Sequence, residues 1–158
     1  MKNYSAVSTN LRQFELLDEH QKKIGEITYP KWYSYDVELT TDRGSSWIKI
    51  EGTWSWNMFQ YDTPGNKIRE FKMGWKGFKI IENSGIEYVL EMSSFWKYEF
   101  VLKNRADSEL IKLKPKFSWK SMYPEYIIEV ADHFEADEEF LLGLVHCINY
   151  QHSVATSG

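Results

Sequence analysis

Hydrophobic and polar residues alternate along much of this chain with the two-residue period that places successive side chains on opposite faces of a β-strand. The alternation is clearest over residues 33–40, 86–92 and 96–103, where aromatic and aliphatic side chains alternate mostly with charged and hydroxyl side chains. Each segment is therefore predicted to be a strand with one face in the core and the other largely in water.

Short polar segments of the kind that form turns separate the predicted strands. They comprise residues 19–23, 63–66, 82–85 and 103–107. Because such short connections join neighbouring strands, the strands are predicted to pair in antiparallel hairpins.

A weak internal repeat runs through the strand region, and Ile24, Ile68 and Leu110 mark the same point in its three copies. The spacing of about 40–45 residues is enough for four short strands per copy. The other aligned positions are Phe14, Leu16, Trp32 and Tyr35 in the first copy, Phe59, Tyr61, Trp75 and Tyr88 in the second, and Phe100, Leu102, Phe117 and Tyr126 in the third.

Residues 137–151 are predicted to form a buried C-terminal helix, the only convincing helix in the sequence. At about 100° per residue, its apolar side chains point in almost every direction, which is typical of an enclosed helix. They are Phe140, Leu141, Leu142, Leu144, Val145, Cys147, Ile148 and Tyr150. The segment is too short to span a bilayer, which takes about 20 apolar residues.

Three units of four strands predict a mainly β fold, an antiparallel closed barrel of about twelve strands that encloses the hydrophobic helix. A propeller has a similar repeat length, but three blades are too few and its signature dipeptides are absent. Closure removes exposed strand edges and creates an interior that the helix fills.

The chain of 158 residues is predicted to fold as one domain. Residues 11–152 would form this barrel domain, with residues 1–10 as a flexible N-terminus and residues 153–158 as a flexible tail.

A barrel of this kind, threaded by a C-terminal apolar helix, resembles the tubby C-terminal-like superfamily, which includes the phospholipid scramblases and the LURP-one-related proteins. The resemblance is carried by FELLD at residues 14–18, IGEI at residues 24–27, the strand repeats and residues 140–150. It implies a non-catalytic binding module that recognises phosphoinositide head groups. The basic residues of the family's binding motif do not match one by one, so no site is inherited.

A lipocalin-like carrier of a small hydrophobic ligand is the alternative fold and function. Gly52-Thr-Trp54 mimics the Gly-x-Trp of that family. In lipocalins, however, this motif opens the first strand and an amphipathic helix packs outside. Here the motif lies in the middle of the chain and the helix is apolar all round.

Lysines interleaved with aromatic residues form the most suggestive functional feature. Seven of them occupy equivalent segments of the second and third repeats, where they would share one rim of the barrel and bind an anionic lipid surface. The candidate residues are Lys112, Lys114, Lys116, Lys120, Lys72, Lys76, Lys79, Trp75 and Trp119. The competing interpretation is that these are ordinary outward-facing lysines that keep strands soluble.

The sequence gives little support for a metal site, a reactive thiol or a catalytic site. The acidic residues between Asp132 and Glu139 precede the helix where scramblases carry a proposed calcium segment, but they lack a calcium-loop pattern and would favour a helix start in any protein. The four histidines lack metal-ligand spacing, and Cys147 is predicted to be a buried apolar filler. We therefore expect no metal, no cofactor and no catalysis, with an uncharacterised enzyme site at one barrel end as the remaining alternative.

The net charge of −4 argues against a nucleic-acid partner. The first residues lack the apolar core of a signal peptide, and no segment is long enough to span a membrane. A cytoplasmic protein is expected, with peripheral attachment to a membrane as an option and an anionic lipid or another protein as partner. The sequence leaves the oligomeric state open.

Overall fold

Twelve strands and one C-terminal helix are found in the part of the chain that the computed structural model describes, residues 1–10, 12–31, 34, 36–51, 57–116 and 125–157. The strands are β1 (Lys2–Asn10), β2 (Gln13–Leu17), β3 (Lys23–Thr28), β4 (Val37–Thr41), β5 (Gly44–Glu51), β6 (Asn57–Tyr61), β7 (Lys67–Met73), β8 (Gly77–Glu82), β9 (Glu87–Ser94), β10 (Glu99–Asn104), β11 (Glu109–Lys116) and β12 (Glu125–Val130). The helix is α1 (Glu138–Ser157).

Each strand pairs in antiparallel fashion with its neighbours in sequence, and β1 pairs with β12 to close the sheet. The predicted closed antiparallel barrel of twelve strands is therefore confirmed. Because consecutive strands run in opposite directions, alternate connections lie at opposite ends of the barrel. Helix α1 begins at the end where β12 finishes, here called the helix-start end, and runs towards the opposite, helix-exit end.

The strands follow the sequence repeat. Ile24, Ile68 and Leu110 each occupy the second position of a strand, in β3, β7 and β11. These three strands are four apart in the barrel, as three units of four strands require.

One alignment within the repeat was wrong. Tyr88 lies in β9, two strands after Ile68, whereas the aligned Tyr126 lies in β12, one strand after Leu110. The connection after β7 is so short that β8 already begins at Gly77. Phe78 and Ile80 of β8 therefore take the inward positions that the repeat assigned to the segment around Tyr88.

Tight turns of one geometry occupy the four predicted turn segments, all at the helix-start end. In each turn the first residue's N–H donates to the carbonyl of the fifth, and its carbonyl accepts from the N–H of the fourth. The fourth residue adopts a positive φ, the conformation that glycine and short polar residues reach most readily. The first and fourth residues are Asp18 and Gln21, Asp62 and Gly65, Glu82 and Gly85, and Asn104 and Asp107.

The N-terminal residues form β1 instead of the flexible segment predicted for residues 1–10. Ala6 and Ser8 point into the barrel and are buried. Their small side chains give a weak hydrophobic pattern, so the strand was missed in the sequence. Backbone pairing with both β2 and β12 holds it in place.

The C-terminal residues likewise continue α1 to Ser157, beyond the predicted helix limit at residue 151. Residues 152–157 contain neither glycine nor proline, so nothing in the local sequence ends the helix there.

Helix α1 fills the barrel between Phe140 and Tyr150, where most of its side chains are buried. The packing is close enough that two glycines face bulky neighbours. A Cβ at Gly143 would lie 3.2 Å from Cζ of Phe71, and one at Gly25 would lie 3.0 Å from Cδ1 of Leu142. The predicted enclosure of a hydrophobic helix is confirmed.

Polar side chains at the helix-start end tie α1 to the barrel wall. The buried Gln60 donates from Nε2 to Oγ of Ser46 at 3.0 Å and to Oε1 of Glu139 at 2.6 Å. Arg69 donates from Nη1 to Oε1 of Gln60 at 2.7 Å and from Nε to Oε1 of Glu82 at 2.8 Å. This network fixes the first turn of α1 relative to β5, β6, β7 and β8.

A second polar contact lies deeper, around the fully buried His146. The Tyr29 hydroxyl lies 3.0 Å from Nδ1 of His146 and accepts a hydrogen bond from Nδ2 of Asn149 at 2.8 Å. Burial lowers the pKa of His146 to about 3, because a charged imidazolium loses its hydration there. His146 is therefore neutral in the folded barrel at neutral pH.

We expect Leu144→Asp to abolish folding, because Leu144 is fully buried in α1 and an unpaired charge there costs several kcal/mol. Circular dichroism during thermal unfolding would measure this loss. Ile86→Asp, at a side chain that is 54% exposed, is the control and should keep its cooperative transition. A Leu144→Asp protein that melts like wild type would contradict the enclosed helix.

We also expect His146 to weaken the fold in acid. Its pKa is about 3 when folded and near 6.5 when unfolded, so between these values the unfolded chain binds more protons. Its contribution to stability is present above about pH 6.5 and is lost by up to about 1.4 kcal/mol per pH unit as the pH falls towards 3. Urea unfolding at several pH values should show a shallower dependence for His146→Gln, whereas His20→Gln, at an exposed histidine, should match wild type.

Candidate functional site

The described candidate lysines lie on the outer surface of three strands and one connection. Lys72 on β7 and Lys79 on β8 are direct cross-strand partners, and Lys76 lies in the connection between them. Lys112, Lys114 and Lys116 follow one another along the outer face of β11, with β9 and β10 between them and β8. Trp119 and Lys120 lie outside the described residues.

The β11 lysines face carboxylates in a ladder of ion pairs. Lys114 Nζ donates to Oε1 of Glu129 at 2.9 Å, and this hydrogen bond raises the pKa of Lys114. Lys116 lies 3.8 Å from Glu125, and Lys112 lies 3.6 Å from Glu109. Pairing with carboxylates is expected if these are ordinary outward-facing lysines that keep the strands soluble.

A shallow groove of about 190 Å³ crosses the outer wall over β9, β10 and β11. Lys112 and Lys114 line it together with Glu99 and Glu109. Two positive and two negative side chains offset each other, so charge alone does not favour an anion in this groove.

Lysines near the helix-exit end have fewer carboxylate neighbours. Lys72, Lys76 and Lys97 are exposed, and no described carboxylate forms an ion pair with any of them. Lys79 is also exposed and lies 3.4 Å from Glu87. We refer to the three lysines without such a pair, Lys72, Lys76 and Lys97, as the exit-end lysines.

Two neighbouring hairpin connections at the helix-exit end carry large aromatic side chains. Residues 74–76, between β7 and β8, include Trp75, which is 88% exposed. Residues 95–98, between β9 and β10, include Phe95, 69% exposed, and Trp96, 91% exposed. We call these connections the aromatic tips.

The second aromatic tip was not predicted, because the alternation of residues 96–103 placed Trp96 and Tyr98 on the buried face of a strand. Both lie before the start of β10, and both are exposed. The tip contains no glycine, proline or asparagine, so the alternating pattern runs through it without a turn signal. Tyr98 makes the turn instead, with a φ of 53°.

The two tips lie side by side because β8 pairs with β9. The backbone N–H of Met92 donates to the Lys76 carbonyl at 3.3 Å, and Gly77 is the direct partner of Glu91. A Cβ on Gly77 would lie 2.0 Å from the carbonyl oxygen of Leu90. Only glycine therefore allows this close approach of the strands at the base of the tips.

Ring contacts connect the second tip to the end of α1. Phe95 stacks on Tyr98 with a centroid distance of 6.3 Å, and Trp96 contacts Phe95 edge to face at 6.1 Å. Tyr98 in turn meets His152 of α1 at 5.8 Å. The helix thus supports the tip where it leaves the barrel.

Three of the acidic residues before α1 and in its first turn have structural partners. Asp137 caps the helix by accepting a hydrogen bond from the backbone N–H of Phe140 at 2.7 Å. Glu139 belongs to the Gln60 network, and Asp132 pairs with the N-terminal amine of Met1. Among the described residues, no group of three or more His, Cys, Asp or Glu side chains is placed to hold a metal ion.

Cys147 is enclosed by the barrel, and burial raises the pKa of its thiol, as expected for a filler residue rather than a nucleophile. Within the described part of the chain, α1 is not long and apolar enough to cross a bilayer.

Comparison of the chain with protein-family models, curated proteins and solved structures finds no match. None of these comparisons tests the resemblance to tubby-like proteins, which stays a prediction from the sequence.

We expect Gly77→Ala to destabilise the protein by about 1–3 kcal/mol, the usual cost of an atom inserted without room. The added Cβ would lie within 2.0 Å of the Leu90 carbonyl and force β8 and β9 apart. Gly74→Ala is the matched control in the same connection, because its Cβ would meet only the Gly77 carbonyl at 3.8 Å. Equal melting temperatures for the two variants would contradict the close strand approach.

Proposed function

We propose that this protein is a non-catalytic binding module that recognises anionic phospholipid or phosphoinositide head groups through its exit-end lysines. The observation that carries the proposal is the position of Lys72, Lys76 and Lys97 at one end of the barrel, exposed and without described ion pairs. A cation that no carboxylate neutralises retains its full attraction for a phosphate.

The β11 lysines are the second candidate set. Their ion pairs with Glu129, Glu125 and Glu109 reduce the free energy that an anion would gain there. An anionic ligand would have to compete with these carboxylates, so the exit-end lysines are the better candidates.

The packed interior favours a binding module over a carrier of a hydrophobic ligand. Helix α1 occupies the space that a carrier would keep for its ligand, and a Cβ at Gly143 or Gly25 would lie only 3.2 Å or 3.0 Å from a neighbouring side chain. The resemblance to tubby-like proteins points to the same class of ligand. Gly52 and Trp54, which suggested a lipocalin, lie outside the described residues.

Sedimentation with neutral phosphatidylcholine vesicles, and with vesicles that also contain phosphatidylserine or a phosphoinositide, tests the proposal. We expect binding only to the anionic vesicles and weaker binding at physiological than at low salt. Replacing Lys72, Lys76 and Lys97 together by Gln should lower the affinity about 100-fold, because each lysine near the surface contributes about 1 kcal/mol.

The matched control replaces Lys112, Lys114 and Lys116 by Gln, which removes the same charge from the barrel wall. We expect this variant to lose much less affinity than the exit-end variant. An equal loss in both would mean that vesicles respond only to net charge. If wild type does not sediment with anionic vesicles at either salt concentration, the lipid proposal is wrong.

A further inference from the structure

The aromatic tips expose more apolar surface than the solubility of the protein requires. Isolated exposed hydrophobic side chains are common, but Trp75, Phe95 and Trp96 project from two adjacent tips at 88%, 69% and 91% exposure. Clustered exposed apolar side chains typically mark a surface that another molecule covers.

The fold holds these side chains outwards. The Met92–Lys76 backbone hydrogen bond joins the bases of the two tips, and Tyr98 supports Phe95 on one side while contacting His152 of α1 on the other. The tips are therefore a convex, supported surface rather than a groove. A convex apolar surface is better suited to insertion into the interfacial layer of a bilayer than to binding a peptide.

Two lysines lie in the tips beside the aromatic residues. Lys76 Nζ lies 4.7 Å from the Trp75 ring centroid, and the exposed Lys97 follows Trp96 directly in sequence. The nearby carboxylate of Glu91 is 3.0 Å from Lys103 and is neutralised there. Tryptophan favours the boundary between lipid tails and water, and lysine favours anionic head groups just outside it.

We propose that the helix-exit end docks onto a bilayer containing anionic lipid, with Trp75, Phe95 and Trp96 inserted into the interfacial layer. The exit-end lysines then lie at the level of the head groups, and the end of α1 faces the membrane. This inference rests on the proposed function for the anionic lipid, and it adds that the partner is a bilayer surface rather than a single soluble head group.

The test compares wild type with Trp75→Ala, Phe95→Ala and Trp96→Ala combined, on phosphatidylcholine vesicles containing phosphatidylserine. We expect the aromatic variant to bind at least tenfold more weakly while its affinity keeps the wild-type salt dependence. The exit-end lysine variant should instead show a reduced salt dependence. Ile86→Ala combined with Val89→Ala is the matched control, because both side chains are exposed away from the tips and should leave binding unchanged.

A direct measurement of depth uses vesicles whose lipid tails carry bromine, which quenches nearby tryptophan fluorescence. Wild-type fluorescence should be quenched on these vesicles, and Trp75→Phe combined with Trp96→Phe should still bind but lose most of the quenching. Retained binding would show that this variant is folded, and the lost quenching would assign the inserted tryptophans to Trp75 and Trp96.

The outcomes distinguish the two proposals. If the aromatic variant binds within twofold of wild type while the lysine variant does not bind, insertion is wrong and head-group recognition stands. If wild type binds neither the vesicles that contain phosphatidylserine nor those that contain a phosphoinositide, both proposals are wrong. If the aromatic variant instead converts a lipid-free dimer into a monomer, the tips are a self-association surface and insertion is wrong.

Discussion

The burial of helix α1 inside the sheet is the constraint on which the rest of this structure depends. A helix that is apolar on nearly every side is stable only when protein surrounds it, and each fully buried Leu or Val contributes about 1.5–3 kcal/mol relative to exposure. The twelve strands supply that surround by directing alternate side chains inwards. Closure by β1 also pairs the last two edges, so the barrel has no open edge for aggregation.

Apolar burial has no direction, so other contacts must set how far α1 enters the barrel and how it is rotated. The Gln60 hydrogen bonds to Glu139 and Ser46 fix the first turn, and the contact of Tyr29 with His146 fixes the middle. At this depth and rotation, α1 places Gly143, which has no side chain, directly against Phe71. These contacts account for much of the barrel interior, and the proposed recognition of a partner accordingly uses the outer surface.

The two ends of the barrel differ in chemistry. At the helix-start end, four short polar turns close their hairpins compactly, and three of them have Asp or Asn at the first position. At the helix-exit end, the described connections after β7 and β9 carry Trp75, Phe95 and Trp96 beside lysines. These exposed aromatic side chains lie outside the buried core, and the proposed membrane contact depends on them.

Local patterns of spacing and turn residues were enough to predict the barrel, its repeat of four strands, the four polar turns and the enclosed helix. They did not predict β1, whose inward Ala6 and Ser8 are too small to mark a strand. The neutralisation of particular lysines depends on tertiary contacts, since Lys114 meets Glu129 through the pairing of β11 with β12. The exposure of Trp96 likewise depends on tertiary structure. Alternation along the sequence distinguishes the two faces of a strand but does not show where β10 begins, and its pairing with β9 fixes that boundary.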